Sequence, residues 1–254
     1  MASRAALLGV VGVLVASLLA QPARATILLF DQQRDAATQT VVGPTTSGGR
    51  VPDDYGDRVT SSLMAVSGGF FTYGDGGEGF TPNVVVDIFT SNAVPGDPGG
   101  RLWQTGYGDL VNAVFGEGPG IGGSDELFVR LSADSDYAVD LYGFDLAGFG
   151  ADYTIAAVEV LAGPLALYSA TNVLVEGNAS GPGHTTFAFA SPLSALELLI
   201  RLDLSNIAPG IQDNIAIDSI RFGQTPPGTV PEPALPVAAA VLVLGLALAR
   251  ARAR

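Results

Sequence analysis

From residue 26 to residue 228, no stretch of the chain keeps an apolar period of 3.6 residues without meeting a Gly or a Pro. An amphipathic helix needs that period unbroken over several turns, so helices are a poor building element here. Apolar residues recur instead at every second position. Leu196, Leu198, Ile200, Leu202 and Leu204 alternate with Glu197, Leu199, Arg201 and Asp203. Phe187 and Phe189 alternate with Thr186 and Ala188, and Tyr137, Val139 and Leu141 with Ala138 and Asp140. Period two places one set of side chains on one face of a strand. Asn83 to Phe89 and Leu127 to Leu131 are further β-rich runs bounded by Gly, Pro, Asp or Ser. Many short strands separated by turn clusters predict an all-β fold over residues 26–222, either an antiparallel sandwich or a jelly roll. At 48% apolar residues the chain has ample material for its core.

The last strand carries a defect. Ile215 and Ile217 share one phase, and Ile220 and Phe222 share the other. A slip at Asp218-Ser219 means either a β-bulge or a strand buried on both faces. A bulge re-aims side chains, which makes Asp218 a candidate ligand.

Composition removes most catalytic machinery. There is no Cys, so disulfide scaffolds, thiol catalysis and Cys-based metal sites are excluded. The single histidine, His184, sits in the turn Gly181-Pro182-Gly183-His184, and no Gly-x-Ser-x-Gly elbow precedes a helix. The expectation is a protein that is not an enzyme. A hydrolase with two carboxylates across a cleft stays open as an alternative. Residues 26–228 hold seven of the twelve arginines and 24 of the 25 acids, a net charge of −17 with no Lys. Such a body repels phosphate backbones, so no nucleic-acid partner is expected.

Two kinds of site fit this composition. Calcium takes oxygen ligands, and Asp53, Asp54 and Asp57 cluster in one turn-rich loop while Asp213 and Asp218 lie at the far end of the body. The first and last strands of a jelly roll are often neighbours, which would let the two groups converge. The plainer alternative is a set of solvated acidic loops. Saccharide binding would use aromatic platforms, and Trp103-Gln104-Thr105-Gly106-Tyr107 is the best patch, with Trp103 and Tyr107 as candidate ligand residues. Core packing of the same rings is its alternative.

Both termini read as addresses. Residues 1–25 combine Arg4, an apolar run from Ala5 to Ala20 and the small-x-small pattern Ala23-Arg24-Ala25. That predicts a signal peptide removed by signal peptidase after Ala25, with Thr26 as the first mature residue. At the other end, residues 223–229 form a Gly/Pro linker. Pro231, Glu232 and Pro233 follow, then an uncharged span from Ala234 to Ala249 and the arginines Arg250, Arg252 and Arg254. Sixteen helical residues span roughly 24 Å, short of a hydrocarbon core of about 30 Å. As a permanent anchor the span is marginal; as a transient stop in the inner membrane it is well proportioned.

Residues 230–254 resemble the PEP-CTERM sorting signal of Gram-negative bacteria, a module also labelled ice-binding-protein C-terminal domain. The resemblance implies that exosortase recognises Pro231, Glu232 and Pro233 and that the short transmembrane helix is removed. Within the body, Tyr55-Gly56-Asp57-Arg58-Val59, Thr81-Pro82-Asn83 and Asp213 to Ile220 resemble recurring features of exported proteins with this signal. The final strand is also similar to that of galactose-binding-like jelly rolls in carbohydrate-binding modules. Together they imply a secreted protein of the cell surface or extracellular matrix with a non-catalytic β-sandwich body associated with exopolysaccharide. A strict carbohydrate-binding module with structural calcium is the alternative.

Overall fold

A computed structural model describes residues 25–226, apart from 31–32, 35–40, 44–47, 52, 54, 60–62, 67–68, 73–78, 118–121 and 179–182. The signal peptide before Ala25, the candidate ligand Asp54 and the processing residues Pro231, Glu232 and Pro233 lie outside the described residues.

The elements run β1 (Thr26–Leu28), β2 (Gln33–Arg34), β3 (Val41–Gly43), β4 (Gly49–Arg50), β5 (Leu63–Val66), β6 (Gly69–Thr72), β7 (Val84–Val94) and β8 (Asp97–Trp103). They continue as β9 (Ala113–Gly116), β10 (Glu126–Ala133), β11 (Ala138–Gly148), β12 (Tyr153–Ala162), β13 (Leu165–Val175), β14 (Thr185–Ala195), β15 (Glu197–Asp203) and β16 (Ile215–Thr225). No α-helix occurs among the described residues; a 3₁₀ turn at Gln212–Asn214 precedes β16.

The architecture is all-β, antiparallel and sandwich-like. One sheet follows the path β13-β12-β15-β10-β7-β8-β9-β16-β11-β14, with β1 added to β16 and β4 to β8. The sheet nearly closes on itself: at its two ends Tyr168 of β13 meets Phe187 and Phe189 of β14 edge-on, with ring centroids 6.1 and 5.3 Å apart. A smaller sheet has the order β3-β2-β6-β5.

The alternation seen in the sequence sets the core. Leu198, Ile200 and Leu202 of β15 are buried, as are Leu127, Val129 and Leu131 of β10 and Val84, Val86 and Ile88 of β7. Against them, in the same cluster, pack Val139, Leu141, Phe144 and Leu146 of β11 with Ile215, Ile217, Ile220 and Phe222 of β16. Each such side chain contributes about 1.5–3 kcal/mol over an exposed one. Leu196 departs from its phase-mates: it sits in the turn before β15 and stays exposed.

Both readings of the β16 phase slip hold. Asp145 of β11 faces Asp218 and Gly143 faces Arg221, so two steps on β11 oppose three on β16. Ser219 takes up the extra residue at φ 51°, and its N–H donates to Asp218 Oδ1 at 2.6 Å. Before the bulge, Ile215 to Asp218 are buried on both faces. β16 runs through Thr225, three residues past the expected boundary at 222, because Gln224 Oε1 accepts from Asn83 N–H at 2.9 Å and Thr225 bonds Asp140.

Candidate functional site

Two concavities bear on ligand binding. The first gathers three expected site residues, Trp103, Tyr107 and Asp213, with Phe115, Phe149 and Asn214 around a cleft of about 110 Å³. Tyr107 follows Gly106 in a tight loop and is only 3% exposed. Its ring stacks on Phe115 at 6.2 Å and meets Phe149 at 5.3 Å, and its hydroxyl donates to the Asp213 carbonyl. Burial, and then the nearby Asp213 carboxylate, pushes its phenol up. Trp103 meets Phe115 and Phe149 edge-on. The rings therefore satisfy each other. The cleft is smaller than the ~300 Å³ at which small-ligand sites usually begin. The expected platform is here a closed aromatic cluster with Trp103 as one wall.

The second is an open groove of about 440 Å³, within the range of ligand sites. It forms where β7 and β8 part, since they pair only at Phe89↔Gly99 and Val94↔Asp97. The segment 50–57 bridges the gap: Val51 N–H donates to the Gly100 carbonyl at 3.0 Å, and Asp57 Oδ1 accepts from Val86 N–H at 2.7 Å. The walls carry Arg50 and Asp53 from that segment, Asp87 and Phe89 from β7, Asp97 from β8 and Arg130 from β10.

These charges are balanced pair by pair. Arg50 donates to the Gly96 carbonyl at 2.6 Å and to Asp53. Asp97 is gripped by Arg101, whose hydrogen bonds hold its carboxyl below the usual range. Arg130 is the loosest. Its guanidinium lies over the Phe89 ring at 4.9 Å, and its nearest acids, Asp87 and Glu197, are each 3.9 Å away, too far for a hydrogen bond. The Nε–H groups of Arg50 and Arg130 are both buried and donate to no acceptor among the described residues. Phe89 also stacks on Phe128 at 4.9 Å, so it serves to seat Arg130.

The expected calcium ligands other than Asp54 each have surroundings of their own. Asp53 pairs with Arg50, Asp57 serves the β7 backbone, Asp213 borders the aromatic cleft and Asp218 is buried on β16. Among the described residues no group of three or more His, Asp or Glu side chains converges as a metal site. His184 hydrogen-bonds Asp109, Nδ1 to Oδ1 at 2.7 Å, clasping two loops. Sequence reasoning placed Asp53 near a site but missed Arg50, Asp87, Phe89, Asp97 and Arg130. The available signal was weak: two of the body's seven arginines lie beside strand runs rich in Asp and Phe.

No family model matches the chain, and no curated protein matches it significantly.

Proposed function

We propose that this chain is an exported, exosortase-processed β-sandwich protein of jelly-roll type that holds neutral exopolysaccharide in the groove between Arg50 and Arg130 without acting on it chemically. One observation carries the saccharide reading: an open groove of about 440 Å³ brings Arg50, Asp53, Asp87, Asp97 and Arg130 together on its walls. Such a wall offers both donors and acceptors, the mixture that a ligand rich in hydroxyl groups pairs with. Asp87 and Asp53 on the same walls are the acceptors for such hydroxyls, Arg50 and Arg130 the donors. The balance of three arginines, Arg50, Arg101 and Arg130, against Asp53, Asp87 and Asp97 favours an uncharged ligand, because the rest of a body at −17 repels acidic chains. Export and processing rest on the two terminal segments.

Affinity electrophoresis in gels containing a neutral polysaccharide such as dextran or galactan, with acidic alginate in parallel, tests this. The full chain is expected to be retarded by a neutral gel. Arg130→Met with Asp87→Asn is expected to weaken that retardation at least tenfold, while Trp103→Leu leaves it within twofold. Equal retardation of parent and double variant would place binding elsewhere; no retardation by any neutral gel would end the saccharide reading.

A further inference from the structure

We infer that the flank formed by β13 and β14 is a self-association surface, on which the β13 edge of one copy pairs with that of a second copy. The sheet path ends at these two strands, so each has one edge without a ladder partner among the described residues. An open edge displays unpaired N–H and C=O groups and recruits another strand unless charge, proline or cover prevents it. β14 is guarded by Pro192 and by a register shift against β11. β13 has neither proline nor charge in Leu165–Val175. It joins β14 only at one end, where Thr185 Oγ accepts from Glu176 N–H at 2.9 Å and donates to the Leu174 carbonyl at 3.2 Å. Beyond that clasp the strands are linked by the Tyr168 ring.

Charge selects the occupant. Residues 160–196 contain one acid, Glu176, and no Arg, in a body whose net charge is −17. Two copies repel each other on every acidic face, and this flank is where they approach at least Coulomb cost. It also shows apolar surface, with Leu165 62%, Leu174 54% and Leu196 55% exposed. Pairing of β13 with β12 keeps one register from Tyr168 to Val175, with a shift at Val160/Leu161 before it and Asn172 at φ 52° within it. The uninterrupted stretch between the shift and Asn172 is Tyr168–Thr171, so the contact is centred on Ser169 and Ala170 and, being short, is concentration-dependent rather than permanent.

The chain lacks Cys, so one engineered thiol reports one position. Full-length chain in mild detergent, studied by light scattering coupled to size exclusion, is expected to shift from monomer toward dimer with rising concentration. Raising salt is expected to favour the dimer, because it screens like-charged bodies. Ser169→Lys with Thr171→Lys, both at exposed positions, is expected to return it to monomer with an unchanged circular dichroism spectrum. Ser169→Cys is expected to form a disulfide-linked dimer under mild oxidation at least tenfold faster than Thr105→Cys, which lies in the loop after β8 and off the β13 strand. A monomer at all concentrations, a dimer that survives the lysines, or equal cross-linking of the two thiols would each overturn the proposal. The saccharide reading is untouched by any of these results.

Discussion

Asp97 and Arg101 hold each other through two side-chain hydrogen bonds, Nη1 to Oδ1 at 2.9 Å and Nη2 to Oδ2 at 2.6 Å. They stand four residues apart on β8, and period two sends both to the same face. Gly99, between them at φ 94°, lets its own N–H donate to Asp97 Oδ1 at 3.1 Å. The pair closes one end of the groove and keeps Asp97 ionised below the ordinary carboxylate range. A depressed folded value contributes stability above the unfolded carboxylate range, and that contribution is lost as pH falls through the folded value. Asp97→Asn is therefore expected to lower stability by about 1–3 kcal/mol near neutrality. The gap should close as the parent is acidified through and below the carboxylate range. Urea midpoints measured across pH check this; a gap that stays constant into strong acid would refute it.

Asp213 has the opposite sign. Burial at the aromatic cleft pushes its carboxyl up. A raised carboxyl destabilises the fold once ionised, so stability is full below the unfolded value and declines as pH rises through the folded one. Asp213→Asn should match or exceed the parent's melting temperature at neutral pH and lose that advantage in mild acid. Loss of stability at neutral pH would show that the carboxylate has a partner worth more than its burial costs.

The bulge in β16 gives a third test. Ser219 holds φ 51°, a region that costs a residue with a Cβ roughly 1–2 kcal/mol. Ser219→Gly removes that strain but adds unfolded-state entropy of about 0.5–1 kcal/mol. The expected net is a gain of up to about 1 kcal/mol, or 2–4 °C in Tm for a domain of this size. Ser219→Val should cost about 1–3 kcal/mol, since a β-branched side chain resists the left-handed region. Calorimetry of the three proteins decides it, and equal melting temperatures would mean the bulge relaxes freely.

How much of this was readable beforehand follows from range. Alternation is local, so Leu198, Ile200 and Leu202 announced their buried face, and the Ile217-to-Ile220 slip announced the bulge. Tyr107 left two readings open, platform or core, because Gly106 and Gly108 look like an exposed loop. They are there because the chain must pass very close to Phe149 and Gly183, where a Cβ would collide. The groove was hidden for a different reason. Arg50, Phe89 and Arg130 are brought together by pairing among β4, β8, β7 and β10, and no local pattern encodes which strand edges part. The partners that Asp53 and Asp57 take are hidden in the same way. Proximity of first and last strands is real, as Leu28↔Ile220 shows, yet the acids on either side turn to Arg50 and to the β7 backbone.

The tail supplies the last test, and its logic is independent of the body. Pro231 and Pro233 fix their own φ angles, lack N–H donors and bias Val230 and Glu232 toward extended backbone. An extended peptide outside the membrane is what a strand-gripping processing enzyme requires. On the proposed processing, the apolar span from Ala234 to Ala249 is the transient stop in the inner membrane, and the three terminal arginines set its C-terminus on the cytoplasmic side. Replacing Pro231, Glu232 and Pro233 by Ala is expected to leave export intact but block cleavage. The chain should then accumulate in the inner membrane, heavier than the mature form by roughly two dozen residues, a count set by the segment past the motif. Neutralising Arg250, Arg252 and Arg254 should instead weaken retention and mix orientations, because orientation follows the positive charges rather than the motif. Mass spectrometry of the mature parent reads both ends at once. A start at Thr26 with Ala234–Arg254 removed is the expected result. Should those residues remain attached, the segment is a plain anchor, and the arginine variant would then be the one that changes location.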